Sequence, residues 1–330
     1  MERPDQGQAP TIGRLLPLLR CPETGEPLEV DGEALVNESR TFEYPIVDGI
    51  PALLPHDARS PFRVEDLPAN ARRASRRGRS VRGGPIGWAT RGYRQHGSVE
   101  EVQTFGRLVL ESGSRPARIL VIGGGRRSEG VEEGARLDGI ELIETDVYPG
   151  PNVDLLADGL SLPLDDGAVD GVISQWVIEH VADPWRLVAE TARVLKPGGL
   201  VYSEAPFIQQ VHEGRYDFFR FTPIGHRMIY REFEEIAMKV IQGPGMALSW
   251  SSEYFARSLS PRSARIGLWL TRIARLLALP VLLLDRFLVS RPGAWDAASG
   301  TSFLGRKADR AVSPREVVKG YRGINRDPGE

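Results

Sequence analysis

Cysteine is almost absent from this 330-residue chain, in which Cys21 is the single one. A lone cysteine excludes an intramolecular disulfide and an all-cysteine zinc site, and it favours a reducing compartment. The first ten residues, MERPDQGQAP, lack the apolar core of a secretory signal. The sequence therefore predicts no metal site and a cytoplasmic location.

The chain also lacks both a strong net charge and a long uncharged run. Its 42 basic residues nearly balance its 44 acidic ones, so the whole chain has no electrostatic drive toward nucleic acid or membranes. The uncharged run 276–284 is much shorter than the ~20 residues that a membrane span needs. We therefore expect segment 264–289 not to cross a membrane. Its arginine-edged apolar face suits peripheral membrane contact, a helix pair above a binding cleft, or a homodimer interface.

Glycine, in contrast, is concentrated after one apolar segment. Residues 119–122 are leucine or β-branched, and Gly123, Gly124 and Gly125 follow directly. This pattern is typical of a buried parallel strand that ends in a tight turn before a helix. Glycines in such a turn let the backbone approach a ligand, and the amides of the next helix favour a polar or anionic group.

Polar side chains follow the next predicted strands. These strands are 140–143, 153–156 and 169–174. Asp146 follows the first at a distance from Gly125 close to the spacing at which an acidic side chain binds a ribose. Asp158 follows the second strand, and Gln175 follows the third. Because ligands of open α/β sheets bind outside the carboxyl ends of the strands, we expect these residues to line one crevice.

Taken in order, these motifs resemble a known family. The series GGG, Asp146, Ala157-Asp158-Gly159, DGVISQWVIEHV and RVLKPGG is similar to the class I S-adenosylmethionine-dependent methyltransferases. The closest resemblance is to the small-molecule branch that includes the ubiquinone and menaquinone methyltransferases. It covers about residues 97–306. It implies an α/β fold with a doubly wound, seven-stranded Rossmann-like sheet whose last strand is antiparallel, and S-adenosylmethionine as the cofactor.

The resemblance also implies cofactor-binding roles for particular residues. Gly123 and Gly125 would approach the methionine part of the cofactor, and Asp146 would hold the ribose hydroxyls. Asp158 would lie near the adenine amino group, and Gln175 would flank the methionine end. The other members of this cofactor-binding set are Gly124 and Gly159.

Two positions depart from the family pattern. Val121 stands where the family usually has an acidic residue, and Arg127 stands where it has a third glycine. The first change removes an expected partner of the cofactor's ammonium group. A nicotinamide-binding domain is the alternative for such a glycine turn, but it requires glycine at Ser128 and does not predict Asp158.

The candidate catalytic residues are His180, His212, Asp217 and Arg220. The last three lie in a segment, 206–222, that resembles the part of related methyltransferases covering the acceptor pocket. Methyl transfer needs a base only if the acceptor keeps its proton until attack, and either histidine could then serve, with Asp217 as its orienter. Arg220 could bind a carboxylate or phosphate of the acceptor. The alternatives are a packing role for His180 and an internal ion pair between Asp217 and Arg220.

The N-terminal part divides from the rest by composition. Residues 15–56 resemble the small zinc-ribbon-like domain that partners certain tRNA and translation-factor methyltransferases. Zinc-binding forms would have cysteines near Thr24 and Asn37 as well as Cys21, so we predict a β-rich module that folds without zinc. Residues 1–14 are expected to be flexible. The arginine-rich residues 57–96 are expected to be a linker or, in the alternative, an RNA-binding arm.

The remaining elements follow from periodicity and turn signals. We predict a helix over 98–111, with Ser98 and Glu101 as a capping box. A second helix is predicted over 185–195, and a third over 223–237 before a strand at 238–242. A helical insertion, 243–298, separates this strand from the last one at 300–305. The tail 307–330 is polar and expected to be loose.

These features together predict an S-adenosylmethionine-dependent methyltransferase. The acceptor is expected to be a small molecule, such as a sugar, a lipid precursor or a natural product, methylated on oxygen or nitrogen. Nucleic acid is not an expected partner. One alternative is a non-catalytic scaffold with the same fold, which Val121 and Arg127 would suit. The other is an RNA methyltransferase that uses the arginine-rich stretch.

Overall fold

The computed structural model describes residues 11–57, 60–66, 96–125, 130–131, 137–259 and 264–324. Arg127, Ser128 and most of the arginine-rich stretch lie outside these residues. So do the first ten residues and the last six.

Eleven strands and eight helices make up this part of the chain. The strands are β1 (Leu28–Asp31), β2 (Ala34–Asn37), β3 (Glu43–Val47), β4 (Ile50–Leu53), β5 (Ala117–Ile122), β6 (Ile140–Asp146), β7 (Leu155–Ala157), β8 (Val169–Gln175), β9 (Leu195–Pro206), β10 (Phe233–Gln242) and β11 (Gly300–Lys307). The helices are α1 (Thr11–Leu15), α2 (His96–Glu111), α3 (Pro184–Val194), α4 (Pro223–Ile229), α5 (Pro244–Ser258), α6 (Ala264–Leu288), α7 (Pro292–Asp296) and α8 (Pro314–Lys319).

All these strands join one mixed sheet in the order β1-β2-β3-β4-β7-β6-β5-β8-β9-β11-β10. Strands β5 to β9 run parallel to one another, with β5 between β6 and β8. Strand β11 inserts antiparallel between β9 and β10. The seven strands from β5 to β11 therefore confirm the predicted α/β fold with its antiparallel last strand.

The N-terminal module extends this same sheet. Strands β1 to β4 form an antiparallel meander, and β4 then pairs parallel with β7, with Ala52 opposite Leu156. The core is shared, because Leu19 and Leu53 of the module belong to one buried cluster with Leu155 of β7. A β-rich module was predicted, but its docking on the edge of the larger sheet was not.

Cys21 lies inside this module. Its side chain is buried, and its Sγ atom lies 3.2 Å from the hydroxyl oxygen of Tyr44. A buried thiol behaves as a small apolar side chain with a weak donor, and this contact fits that role.

Helix α2 packs on the face of the central strands that lies opposite the cluster of Leu19, Leu53 and Leu155. It begins at His96, two residues before the predicted cap Ser98, so the predicted capping box is wrong. Glu101 instead lies buried beneath the helix, where its carboxylate accepts a hydrogen bond of 3.1 Å from the Tyr202 hydroxyl. Glu101 therefore faces the sheet and contacts Tyr202, and it does not cap the start of the helix.

Helix α4 is shorter than the sequence predicted. It ends at Ile229, and the predicted helical residues from Phe233 onward belong to β10. Phe233 is fully buried and pairs with Lys307 of β11. The ladder with β11 and the burial of Phe233 outweigh the local helical pattern.

Both ends of the chain contain ordered structure within the segments expected to be loose. Helix α1 begins at Thr11, inside segment 1–14. Helix α8 lies within the tail and has a capping box between Ser313 and Glu316. Beyond it, Arg322 donates a hydrogen bond of 3.0 Å to the carbonyl of Met238.

The insertion forms a helical hairpin of α5 and α6. The Asp285 carboxylate of α6 accepts hydrogen bonds from the amides of Gly245, at 2.6 Å, and Met246, at 2.8 Å. A Cβ atom on Gly245 would lie 2.4 Å from the carbonyl oxygen of Val281. Two contacts therefore hold the hairpin together. The Asp285 carboxylate of α6 binds the first amides of α5, and Gly245 lets the backbones of the two helices approach closely.

Helix α6 leaves most of its apolar surface exposed. Leu277 is 73% exposed and Trp269 is 63% exposed. By length and composition, Arg265–Leu288 is a candidate membrane span among the described residues. Only 11% of its apolar stretch is buried inside the protein. The prediction that it does not cross a membrane stays a prediction.

Candidate cofactor and acceptor site

The carboxyl ends of four neighbouring strands open into one cleft of about 970 Å³. Strands β5, β6, β7 and β8 place the predicted cofactor residues in its wall. These are Gly123, Gly124, Gly125, Asp146, Asp158, Gly159 and Gln175. The residues that the sequence spacing predicted to line one crevice therefore do line one cleft. Among the described residues, no arginine lines it.

The glycine turn after β5 is sterically constrained. Gly123 has a φ of +78°, and a Cβ atom there would lie 2.5 Å from Cγ2 of Val177. A Cβ on Gly125 would lie 2.6 Å from Oδ2 of Asp146. Only glycine therefore lets the turn pass this close to both β6 and the segment after β8.

Asp146 ends β6 with its carboxylate against backbone amides. Its Oδ2 accepts a hydrogen bond of 3.0 Å from the Gly125 amide, and its Oδ1 accepts one of 2.9 Å from the Tyr148 amide. A carboxylate oxygen accepts more than one hydrogen bond. These contacts therefore orient Asp146 in the cleft and are compatible with its predicted role toward ribose hydroxyls.

Asp158 lies at the end of β7 and is nearly buried. Its Oδ1 accepts a hydrogen bond of 2.9 Å from the Leu160 amide, and its Oδ2 accepts one from the Ser60 hydroxyl. Burial raises the pKa of Asp158 although these hydrogen bonds oppose the shift. Next to it, a Cβ on Gly159 would lie 2.5 Å from Cδ1 of Leu187, so glycine brings α3 close to this wall.

Gln175 is oriented from behind the cleft. Its side-chain amide donates a hydrogen bond of 2.8 Å to Glu204, whose Oε1 also accepts one of 2.7 Å from the Tyr202 hydroxyl. The following residue, Trp176, has a φ of +56°. Its ring fills the space that a Cβ on Gly300 would need, so the strand end depends on this glycine of β11.

Val121, where the family usually has an acid, lies in the cleft wall. Its partner in the neighbouring strand is Glu144, which is buried and directly in register with it on β6. A Cβ on Gly124 would lie 3.0 Å from the Cβ of Glu144. Side chains in register on adjacent parallel strands share a face, so a carboxylate still lies on this side of the sheet. The sequence analysis missed Glu144 because only the register brings it there.

His180 and His212 both lie at one end of the cleft. Their rings are 5.0 Å apart and nearly perpendicular. His180 is held by a hydrogen bond of 2.7 Å between its Nδ1 and the Tyr216 carbonyl. Burial lowers the pKa of His180, although this hydrogen bond opposes the shift. The two candidate bases are therefore neighbours, although they come from different loops.

Asp217 and Arg220 lie behind His212, outside the cleft lining. Their side chains form an ion pair, and Arg220 also donates hydrogen bonds of 2.9 Å to the carbonyls of Gln209 and Gln210. Burial opposes ionisation of Asp217, but the Arg220 hydrogen bond and the His212 amide lower its pKa to about 2. These contacts match the alternative in which the pair shapes the loop.

Glu179 is fully buried beside the two histidines. Its Oε1 lies 3.6 Å from Nε2 of His180 and 3.9 Å from Nε2 of His212. Burial raises its pKa to about 8, and the positive charge of Arg220 only partly offsets this. Glu179 was not among the predicted site residues, because nothing in the local sequence shows that it lies beside His212.

The N-terminal module contributes a wall that the sequence analysis did not predict. Asp48 and Ile50 of the module line the cleft, and so does Phe62 of the following segment 57–96. The Phe62 ring stacks on Tyr216 with centroids 5.1 Å apart and meets Tyr148 edge-on at 5.6 Å. Aromatic side chains from three distant segments therefore meet at the cleft.

The helical insertion supports the loop that carries His212. The Trp250 ring of α5 lies 5.9 Å from the His212 ring, and the Tyr254 hydroxyl donates a hydrogen bond of 2.7 Å to the Val211 carbonyl. Gln210 donates one of 3.0 Å to the Ser251 hydroxyl. The hairpin therefore stands beside the histidine end of the cleft.

Family models match two parts of the chain. Residues 123–203 match the methyltransferase domain family, and residues 14–49 match the Trm112p-like protein family. This part of the chain is similar to methyltransferase domains. The matched residues run from the glycine turn to β9 and so include the strand ends that form the cleft. The second match covers most of the predicted N-terminal module.

Relatives and solved structures add partial matches. An uncharacterized methyltransferase of Mycobacterium sp. (strain JLS) is 39% identical over 108 residues, which cover 31% of this chain and 40% of that protein. One of Mycobacteroides abscessus is 37% identical over 112 residues. A SAM-dependent methyltransferase of Archaeoglobus fulgidus aligns at a TM-score of 0.37 with 19% identity, covering 63% of this chain and 94% of that one. The chain thus matches about two fifths of the length of these relatives.

A methyltransferase domain implies S-adenosylmethionine as its cofactor, which agrees with the sequence prediction. The residues present fit this group. The glycine turn lines the cleft, and Asp146 is oriented in the cleft wall by two amides. Asp158 lies at the end of the next strand and lines the same cleft.

Proposed function

We propose that the chain transfers a methyl group from S-adenosylmethionine to an oxygen or nitrogen of a small-molecule acceptor. The observation that carries this proposal is the single cleft in which the cofactor-binding set meets His180 and His212. We infer that Gly123, Asp146 and Asp158 hold the cofactor. The acceptor would then lie toward the two histidines, as in the small-molecule branch that the sequence resembles.

The bound cofactor supplies an electrophilic methyl carbon and a neutral leaving group, so departure needs no proton. The protein's contribution is mainly orientation, which is worth up to about 7–11 kcal/mol in favourable cases. His180 Nδ1 is engaged by the Tyr216 carbonyl, so its Nε2 is the atom that could take a proton from an acceptor hydroxyl. Phe62, Tyr148 and Tyr216 provide an aromatic surface suited to an apolar or planar acceptor.

Titration calorimetry with S-adenosylmethionine and S-adenosylhomocysteine tests the cofactor part of this proposal. We expect a saturable one-site isotherm with both compounds. A chain that releases no heat with either would support the non-catalytic scaffold, the alternative that Val121 suggests. The position of Glu144, in register with Val121, supports the enzyme, because it offers a carboxylate near the expected site of the ammonium group.

The RNA methyltransferase alternative depends on the arginine-rich stretch, which lies outside the described residues. Filter binding with a mixed RNA pool at two salt concentrations tests it. A salt-dependent affinity that disappears when residues 72–82 are deleted would favour RNA as the acceptor. Affinity that does not change with this deletion supports a small molecule.

We further propose that the N-terminal module acts within its own chain. In the described structure β4 pairs with β7, and Asp48 and Ile50 of the module line the cleft. The module would therefore stabilise the cleft wall beside Asp158, without zinc, as its single cysteine suggests.

We also propose that α6 rests on an anionic membrane surface in the cytoplasm. Its exposed apolar residues, such as Trp269 and Leu277, lie on the same helix as Arg265, Arg272 and Arg286. An apolar face with basic residues suits the headgroup region of anionic lipids. Homodimerisation through the same face is the competing outcome of the vesicle experiment described below.

A further inference from the structure

Three atoms that commonly bind metals converge at the histidine end of the cleft. They are Oε1 of Glu179 and a ring nitrogen from each of His180 and His212, and the three side chains offer ligand atoms within 4.8 Å of one another. We propose that Glu179, His180 and His212 form a binding site for one divalent transition-metal ion, such as zinc. The sequence predicted no metal here, because His212 belongs to a different loop from the other two residues.

The separations suit a shared ion. Glu179 Oε1 lies 3.6 Å from Nε2 of His180 and 3.9 Å from Nε2 of His212. Two ligand atoms that each lie about 2.1 Å from a common zinc ion are at most about 4.2 Å apart. Both pairs fall below this limit, so an ion could contact Glu179 and either histidine. The ligand atoms of the two histidines lie within 4.8 Å of each other, so contact of one ion with all three residues requires a small rotation of a side chain.

The ring nitrogens that face away from Glu179 have oxygen neighbours. Nδ1 of His180 lies 2.7 Å from the Tyr216 carbonyl oxygen, and Nδ1 of His212 lies 3.2 Å from the Gln210 carbonyl oxygen. Nδ1 of His212 also lies 3.5 Å from a guanidinium nitrogen of Arg220, which only donates, so the neighbours fix the tautomer of His180 alone. Because a carbonyl only accepts, Nδ1 of His180 carries the proton and its Nε2 keeps its lone pair. Metal-binding histidines are usually held in this way, with the second nitrogen donating to an oxygen.

Glu179 is the strongest single indication of a cation. It is fully buried, and neither of its carboxylate oxygens has a hydrogen-bond partner among the described residues. A negative charge on this buried acid is costly without a partner, and a bound cation would supply that partner. The nearby guanidinium of Arg220 is already paired with Asp217, so it does not fill this need.

The backbone holds the three ligands together. The Glu179 carbonyl accepts hydrogen bonds from the amides of Phe218, at 2.8 Å, and Phe219, at 3.2 Å. These residues belong to the loop that also carries His212. The site is therefore preorganised, because the loop of His212 is attached to the residue that supplies the carboxylate.

Two histidines and one carboxylate are a ligand set of catalytic zinc and non-haem iron sites, which keep open positions for a further ligand. Both histidines line the cleft, so the open positions would face the acceptor. This step rests on the proposed function: the acceptor would be an oxygen ligand, such as a phenol or an enol. With an ion bound, Nε2 of His180 would be a ligand and would no longer accept the proton. The acceptor hydroxyl would instead lose its proton to solvent more easily beside the cation, and the oxygen would then form the bond to the methyl carbon while the carbon–sulfur bond breaks and its electron pair stays on sulfur.

Cobalt titration of the full-length, untagged chain after chelator treatment tests the site. We expect one Co²⁺ per chain, with a visible d–d absorption that Zn²⁺ abolishes by competition. Glu179→Gln, His180→Gln and His212→Gln should each weaken Co²⁺ binding by more than about 10-fold, since loss of even an outer-shell partner costs that much. His56→Gln is the matched control, because His56 is exposed and belongs to the N-terminal module. Thermal melting of each variant shows whether it is folded.

Several results would overturn the metal site. They are the absence of the cobalt absorption, a Co²⁺ affinity unchanged in the folded His212→Gln variant, or a loss of affinity in His56→Gln. The same preparation is titrated with S-adenosylhomocysteine. Cofactor binding without cobalt binding overturns the metal site alone, and cobalt binding without cofactor binding overturns the methyltransferase proposal alone.

Discussion

The Asp146 carboxylate accepts a hydrogen bond of 3.0 Å from the amide of Gly125, across 21 residues of sequence. This contact joins the end of β6 to the glycine turn after β5, and the same carboxylate accepts a second hydrogen bond from the Tyr148 amide. The spacing that predicted a ribose-binding acid therefore corresponds to a direct contact that fixes the acid in the cleft wall.

Asp146→Asn should weaken S-adenosylhomocysteine binding by about 10- to 100-fold, because a hydrogen bond to a charged group contributes about 1.5–3 kcal/mol. The measurement is titration calorimetry. The matched control is Asp138→Asn, the same change just before the other end of β6, where the side chain is exposed. Equal affinities for Asp146→Asn and the wild type would remove Asp146 from the binding site.

Gly123→Ala should reduce cofactor affinity more than Gly198→Ala does. Both glycines have positive φ, +78° and +72°, so each alanine costs about 1–2 kcal/mol of folding stability. Only at Gly123 would the new Cβ collide with a cleft residue, Val177 at 2.5 Å, whereas at Gly198 it meets nothing within 4 Å. Denaturant unfolding and cofactor titration of both variants separate strain from site geometry. A similar loss of affinity in the two variants would contradict the steric argument.

Acid should destabilise the protein partly through His226. This residue is fully buried between the hydroxyls of Ser203, at 3.1 Å, and Thr301, at 3.0 Å, and burial lowers its pKa from 6.5 to about 3. Because the unfolded state binds the proton first, the stability due to the neutral ring is complete above pH 6.5 and is lost as the pH falls toward 3. The loss is about 1.4 kcal/mol per pH unit at its steepest.

The His226→Gln variant should lack this contribution. Urea unfolding at pH 7 and pH 5 measures it, and we expect the wild type to lose about 2 kcal/mol more than His226→Gln between these values. The exposed His56→Gln control should follow the wild type. An identical pH dependence of wild type and His226→Gln would show that the ring is accessible to protons in the folded state.

Leu277→Glu should reduce binding to anionic vesicles. Leu277 is 73% exposed on α6, and a charge at this position removes apolar surface that would enter the headgroup region. Co-sedimentation with phosphatidylglycerol and phosphatidylcholine vesicles measures the effect. Val318→Glu is the control, because Val318 is 58% exposed on α8. If the wild type is a dimer that stays in the supernatant, and the Leu277→Glu variant is a monomer, the exposed face of α6 is a homodimer interface.

Leu53→Ala should destabilise the whole chain by about 2–5 kcal/mol, the usual cost of removing a buried leucine side chain. Leu53 is fully buried and lies in β4 opposite Ala157 of β7. A single unfolding transition that shifts in Leu53→Ala supports a shared core. Val30→Ala, at a half-exposed position of β1, should change little. Two separate transitions would show that the module and the larger sheet unfold independently.

The sequence predicted the elements whose signals are local. The apolar run before Gly123, and the acids Asp146 and Asp158 at strand ends, were enough to predict the sheet and one wall of the cleft. The carboxyl ends of parallel strands meet at one edge, so strand order alone brings such residues together.

What the sequence did not predict depends on contacts between distant segments. The pairing of β4 with β7 has no periodic signal in the sequence. The local pattern around Phe233 predicts a helix, but pairing with β11 makes this segment a strand. The approach of His212 to Glu179 results from backbone hydrogen bonds between two loops. Such contacts are decided by tertiary packing and not by the local pattern.

A crystal structure with S-adenosylhomocysteine tests the central claim most directly. We predict that the ribose hydroxyls lie within hydrogen-bonding distance of Asp146, that the adenine lies beside Asp158, and that the sulfur points toward His180 and His212. Density for the ligand outside this cleft, or a ribose on the far side of the sheet from Asp146, would contradict the account.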